Sequence, residues 1–376
     1  MLTPPSWEPR FEKVRDLQPG TDFRGKEYRE EVWLQFYEFH LRYKAHPGCV
    51  YYLIPWLRDR FGWGEEETLW FAFLNGNTQN PIVSLMFHEK FPGPEHEDGV
   101  VEFWNENYKR FEWDTDRRYH KKNFEKSVRD YCAKVKAAGT QKEFWSDAAQ
   151  RGFAGVWEKA SGLYSFGRLS AFSYSEYLRI AGVPFDCDDL MLGDISGSSS
   201  HRTGLCLVAG MDPWVKFWNK DFDNKWPKDI LSWLTEYASG LLSEMKSRAA
   251  GKAWENDVSY FTLESALCTY KSWHKPNRRY PNVYNDMMFN RIHRAERQWP
   301  DLDLSLWWEA RAECLPEHLR LEACPGDPGL ARSKQNHYLR TGQVVMMDVE
   351  YPHFSNDFNE GVRKGPGEDT LGLFGA

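Results

Sequence analysis

Glu27–Tyr43, EYREEVWLQFYEFHLRY, carries Val32, Phe36, Phe39 and Tyr43 at the three-and-four spacing that lines one face of a helix. The same period recurs along the chain. Glu65–Leu74 opens on three carboxylates, which suit the positive end of a helix, and is expected to close at Asn75-Gly76, with a new helix from Pro81. Val101–Phe111, Asn123–Ala138, Gln141–Ala160, Ser173–Ala181, Pro227–Arg248, Tyr260–His274, Tyr284–Gln298 and Leu304–Cys314 read the same way. The best period-two alternation is Gln343–Glu350, QVVMMDVE. The expected fold is mainly α: a multi-helix globular catalytic domain over residues 1–325, in one or two helical lobes, followed by a Gly- and Pro-rich C-terminal arm or tail over 326–376.

The 376 residues include 48 Lys and Arg against 55 Asp and Glu, a formal net charge of −7. With 27% charged and 41% apolar residues the chain is not a disordered acidic polymer. Aromatic residues reach 16% although the mean hydropathy is −0.68, more than a core alone calls for. MLTPPSWEPR at the start lacks the basic and apolar regions of a secretory signal. The longest apolar run, near Gly204–Met211, falls far short of the roughly 20 residues of a membrane span. Seven scattered cysteines without a Cys-x-x-Cys pair fit reduced thiols. A soluble cytoplasmic protein with no membrane partner is expected. The absence of His-Glu-x-x-His and P-loop strings disfavours a zincin and a P-loop kinase.

Basic residues are unevenly spread. Asn105–Lys136 holds ten against six carboxylates, and Gly251–Pro300 eight against five. Such segments either form a positive groove for nucleic acid or pair locally on solvated helix faces. Tyr119, Tyr131, Trp273, Tyr280 and Tyr284 lie among them as candidates for base stacking.

Three segments can carry chemistry. FLNGNTQNP, Phe73–Pro81, crowds Asn75, Asn77, Thr78, Gln79 and Asn80 into an expected helix junction. Capping accounts for Gly76 and Asn80, and the remaining amides suit a base edge or an anion. GDISGSSSHRTG, Gly193–Gly204, offers Ser198, Ser199 and Ser200 beside His201 and Arg202 for phosphate, with Asp194 as base or orienter; a flexible Ser/Gly linker is the alternative. In Tyr260–Asp286, Glu264, Cys268 and Lys271 stand at i, i+4 and i+7 on one helix face, and Arg278, Arg279 and Tyr280 follow as an anion clamp with a stacking partner. A surface Glu–Lys pair beside a core cysteine is the plainer account.

FLNGNTQNP, the Gly162–Tyr177 run GLYSFGRLSAFSYSEY, TLESALCTYK and RRYPNVYNDM resemble blocks of the phage enzymes first called α-glutamyl/putrescinyl thymine pyrophosphorylases, now regarded as amino acid:DNA transferases of thymine hypermodification. The similar blocks span about Glu31–Arg297. The resemblance implies a helical fold akin to helical DNA glycosylases and a substrate made from 5-hydroxymethyluracil in phage duplex DNA by a separate kinase. It also implies that an amino acid amine displaces pyrophosphate from the base's 5-methylene in the cytoplasm of an infected bacterium. Glycine is our choice of amino acid.

That chemistry assigns tasks to the segments. The base must be flipped into a pocket, for which Asn75–Asn80 supply readers. Ser198–Arg202, Lys271, Arg278 and Arg279 are candidates to stabilise the departing pyrophosphate, with a divalent cation as a candidate cofactor. Glu264, Asp194 and His201 compete to take the amine's proton, and Cys268 is the thiol placed to add to C6 of the ring. The competing expectations are a base-excising glycosylase on the same helical framework and a non-catalytic DNA-binding module that recruits modifying enzymes.

Overall fold

A computed structural model describes residues 29–42, 50–113, 117–194, 200–211, 226–273 and 287–314. Among them are fifteen α-helices and no strand, so the protein is mainly α. The helices are α1 (Arg29–Arg42), α2 (Val50–Phe61), α3 (Glu65–Thr78), α4 (Pro81–Lys90), α5 (Glu97–Asn107), α6 (Arg118–Lys121), α7 (Phe124–Ala138) and α8 (Gln141–Gln150). There follow α9 (Gly152–Ser161), α10 (Arg168–Ile180), α11 (Ser200–Val208), α12 (Lys228–Ala249), α13 (Tyr260–Trp273), α14 (Met287–Gln298) and α15 (Ser305–Cys314). Gln343–Glu350 and the arm over 326–376 lie outside the described residues.

Apolar side chains gather into two large clusters. One is built on α2–α5 and α7–α10 with α14 and α15, around Trp70, Phe73, Tyr131, Trp145 and Tyr174. The other is built on α1, α11, α12 and α13, around Trp33, Phe36, Leu205, Leu241 and Leu267. A small aromatic group joins them: Phe261 of α13 packs edge-on to Phe153 of α9 and Phe172 of α10, with ring centroids 5.7 and 5.2 Å apart. Burial of these aromatics supplies the main driving force for association of the helices.

α3 runs past its expected end at Asn75-Gly76. Its three N-terminal carboxylates begin it as expected, with Glu67 accepting from the Gly64 N–H at 2.7 Å. Gly76 is not a cap. An added Cβ there would stand 3.0 Å from the Tyr174 ring, so glycine lets α10 pack closely against α3. The stop comes at Gln79, held at φ 50°, whose N–H returns to Asn75 O at 2.8 Å. Asn75, Asn77 and Thr78 are therefore helical and buried. Thr78 organises the turn: its Oγ1 accepts from the Asn80 N–H at 3.0 Å and lies 2.7 Å from Ser84 Oγ.

Two further expectations change. Gln141–Ala160 is two helices, broken where Gly152 takes φ 68°. Tyr131 is not a surface stacker: it is fully buried, its ring lying on Phe73 at 3.8 Å between centroids. Tyr119 stays 47% exposed and can still stack. Trp273's side chain, Tyr280 and Tyr284 lie outside the described residues. In the first basic segment Arg129 pairs with Glu97, Asp98 and Glu125, and Lys134 with Asp130. Those charges stabilise helix contacts, which leaves Lys109, Lys122, Lys126 and Lys136 as its exposed lysines.

Candidate active site

The seam between the two clusters buries charge. Arg168, in the first turn of α10, belongs to the first cluster's framework, whereas His201 in α11 and Glu264 in α13 belong to the second. All three are under a tenth exposed. Arg168 donates through Nη2 to Leu190 O at 3.0 Å and to His201 Nε2 at 2.7 Å. Because a guanidinium only donates, His201 Nε2 must accept, so the imidazole is the neutral tautomer with its proton on Nδ1. That Nδ1 faces Glu264 Oε1 at 3.6 Å, and Arg168 Nη1 lies 3.9 Å from the same oxygen. Burial, then the charges of Arg168, Arg202 and Lys271, hold His201 well below the usual imidazole range.

Two buried carboxyls share this seam and are pushed in different ways. Burial raises Glu264, but Arg168 and Lys271 oppose the rise. Burial raises Glu176 of α10 further, and the charge of Glu264 adds to it. Of the pair, Glu264 is held nearer the ordinary carboxylate range by Arg168 and Lys271, while Glu176 favours its protonated form more strongly. Carboxyls whose environments separate them in this way can serve as base and acid in one reaction. The shift also has a stability signature. Glu176 keeps its proton in the folded state at pH values where the unfolded chain has lost it, so stability falls as pH rises above the ordinary carboxylate range. Glu176→Gln mimics the protonated side chain. Its melting temperature should gain on the native protein's between about pH 5 and pH 8 by at least about 2 °C, roughly 1 kcal/mol for a domain of this size. A constant difference across that range would show that Glu176 is ionised in the fold.

α13 presents the expected face. Lys271 Nζ donates to Ser200 Oγ at 2.5 Å, and Glu264 meets Arg168 and His201. Cys268, a half-buried thiol in no disulfide, lies between them and within electrostatic reach of Arg168. Close approach of α11 makes this possible. Gly204 faces the α13 backbone, where an added Cβ would stand 2.2 Å from Leu267 O. The expected Ser/Gly loop is thus helical from Ser200 onward. Arg202 donates through Nη1 to Leu192 O at 3.1 Å and Asp194 O at 2.6 Å, tying the segment before α11 to the helix. Asp194 is half-buried and supports the charges of Arg168 and Arg202.

Ser200, His201, Arg202, Asp194, Glu264, Cys268 and Lys271 therefore come together, while Ser198, Ser199, Arg278, Arg279 and Tyr280 lie outside the described residues. Asn75, Asn77, Thr78, Gln79 and Asn80 form a separate polar group where α3 meets α4. Asn77 Nδ2 donates to Phe73 O at 3.2 Å and Asn80 Nδ2 to Glu112 O at 3.0 Å, leaving both Oδ1 atoms buried without a partner among the described residues. Sequence reasoning missed Arg168 and Glu176. A signal was present: RLSAFSYSEYLRI spreads Arg168, Ser170, Ser175 and Glu176 around a helix that has no wholly polar face, so some must be buried. Among the described residues no group of three His, Cys, Asp or Glu side chains is disposed to hold a metal ion. No described helix is long and apolar enough to cross a membrane.

A family model described as amino acid:DNA transferase matches residues 57–279, a span that contains every described residue of the seam. A Salmonella phage ViI protein named serinyltransferase is 28% identical over 297 residues, covering 74% of this chain and 71% of that protein. No solved structure matches the chain.

Proposed function

This chain belongs to the amino acid:DNA transferase family, and we propose that it joins a free amino acid to the 5-methylene of a pyrophosphorylated 5-hydroxymethyluracil in DNA. The C–N bond to the methylene forms as its C–O bond breaks, the amine's proton passes to the protein, and pyrophosphate leaves. The observation that supports this reading is the seam, where the buried Glu264 carboxyl faces Arg168 and His201 and the charges of Arg168 and Lys271 favour its anion over that of Glu176. Glu264 is the proton acceptor for the incoming amine. His201, with Nε2 taken by Arg168, orients that carboxylate instead of acting as the base. Lys271 and Ser200 donate to the departing pyrophosphate, and a divalent cation bound to the pyrophosphate oxygens would spread its charge further. Cys268, on the same face of α13, is the thiol available to add to C6, but direct displacement needs no such step. The polar group at the α3–α4 junction reads the flipped base.

The seam's three central side chains are each almost fully enclosed, which favours a small amino acid. Glycine is the simplest, and the relative's name makes serine its direct competitor. The test is to incubate kinase-treated 5-hydroxymethyluracil DNA with the protein and each of the twenty amino acids, digest to nucleosides and weigh the products. Glycine is expected to give a nucleoside that carries the amino acid on its 5-methylene through nitrogen, with the corresponding mass, and pyrophosphate released in equal amount. Unchanged nucleosides throughout would sink the reading, and abasic sites would replace it with a glycosylase.

A further inference from the structure

On the other side of the first turn of α10 lies a buried cation with no counter-charge among the described residues. Arg117 is 0% exposed. Its Nε donates to Gly76 O at 3.0 Å, but Nη1 and Nη2 are both buried without a hydrogen-bond partner. It makes no ion pair with any described residue. Neighbouring groups do not supply the missing charge. Burial, then the Arg117 guanidinium, depress His120 to about 3, so its ring is neutral. Tyr177, which feels the charges of Arg117 and Arg291, is pushed up to about 12 by burial and stays a phenol. His120 Nδ1 is also buried and unpartnered, as is Oδ1 of Asn77, one residue on from the carbonyl that Arg117 holds.

A cation near the last turn of a helix is common, since it complements the dipole of the carbonyls there. Capping explains Nε alone. A buried guanidinium with two free terminal nitrogens is costly unless an anion completes it, and those nitrogens form the edge that takes a planar oxyanion in two parallel hydrogen bonds. We propose that Arg117 is the receptor for the carboxylate of the amino acid co-substrate. This rests on the transferase reading above and deepens it.

Three observations favour a free carboxylate over the other oxyanions present. One uncompensated guanidinium balances one negative charge, whereas pyrophosphate carries several and suits the side of α10 that holds Arg168, Arg202 and Lys271. A backbone phosphate is tied to DNA and cannot follow Arg117 into the interior, but a small free molecule can. A polar chain leads inward from the surface: exposed Tyr119 places its hydroxyl 3.1 Å from Ser170 Oγ, which lies 2.8 Å from His120 Nε2. Ser170 and Arg168 are two residues apart on α10, so their Cα atoms are separated by roughly 5.5 Å. The first turn of one helix thus joins the carboxylate receptor to the seam that holds the proton acceptor.

The experiment is a melting-temperature series on the full chain with acetate, glycine, glycinamide and inorganic pyrophosphate, repeated on Arg117→Gln and Arg117→Lys. Acetate and glycine should raise the melting temperature of the native protein and glycinamide should not. Arg117→Gln should abolish the response, and Arg117→Lys, which keeps charge but loses the planar fork, should restore part of it. In transfer assays Arg117→Gln should raise KM for the amino acid at least about tenfold with KM for DNA unchanged, and should erase most of the preference for glycine over glycinamide. An undiminished acetate response in Arg117→Gln, no response of the native protein to acetate or glycine, or a rise confined to KM for DNA would overturn the proposal. If Arg117→Gln does not fold, the native ligand series and Arg117→Lys decide alone. A native protein that binds acetate through Arg117 but transfers no amino acid would retain the carboxylate site and refute the transferase reading instead.

Discussion

Glu264→Gln is expected to slow amino acid transfer by two to four orders of magnitude, the range a positioned proton acceptor contributes. Glutamine preserves the size of the side chain and its place on α13, so the surrounding helices should remain packed. Arg168 would lose its anion but keep its hydrogen bonds to Leu190 O and His201. The measurement is single-turnover product formation at saturating amino acid, with DNA affinity followed separately and expected to stay unchanged. A pH profile adds a second readout. Since burial raises Glu264, its reactive anion is lost as pH falls through a value above the ordinary carboxylate range. The native rate should therefore drop on acidification earlier than a solvent-exposed glutamate would allow, and that limb should vanish in the variant. A variant within threefold of the native rate would remove Glu264 from the chemistry and leave Asp194 as the remaining carboxylate candidate near the seam.

Gly204→Ala should cost about 1–3 kcal/mol of stability despite alanine's better helix propensity. The reason is the 2.2 Å separation that its Cβ would have from Leu267 O, with Leu267 C at 2.8 Å. Backbone atoms cannot swing aside as the end of a flexible side chain can, so α11 must move away from α13. His201 is three residues earlier on α11, and any such shift lengthens its 3.6 Å approach to Glu264. Transfer should therefore fall along with stability. Gly193→Ala is the control, because nothing stands within 4 Å of an added Cβ there. Urea unfolding of both variants measures the difference. Equal midpoints for Gly204→Ala and the native protein would mean that the two helices do not meet as closely as described.

Much of the fold was legible because helix periodicity is local. α1, α7, α12, α13 and α15 begin and end within two residues of where the spacing of apolar side chains puts them. α2 was hidden by Pro55 in its interior, a residue that normally argues against a helix. α11 was hidden by Gly and Ser, whose low propensity is overridden here by packing of Gly204 against α13. At the α3 terminus Gly76 looked like a stop signal, but it serves a helix contact, and a neighbouring glutamine takes the left-handed conformation instead.

The sequence by itself determined the helical class, the family's motif blocks and the face of α13 that carries Glu264, Cys268 and Lys271, since three-and-four spacing fixes which side chains share a face. It could not determine what that face meets. Arg168 and His201 are 33 residues apart in the chain, and Arg117 reaches the Gly76 carbonyl across 41. Contacts at those separations depend on which helices pack together and how closely, and here glycines at 76 and 204 permit the approach. The titration of these groups follows from the same packing: burial pushes Glu264 and Glu176 up and His201 down, and the charges of Arg168 and Lys271 hold Glu264 back from the full rise.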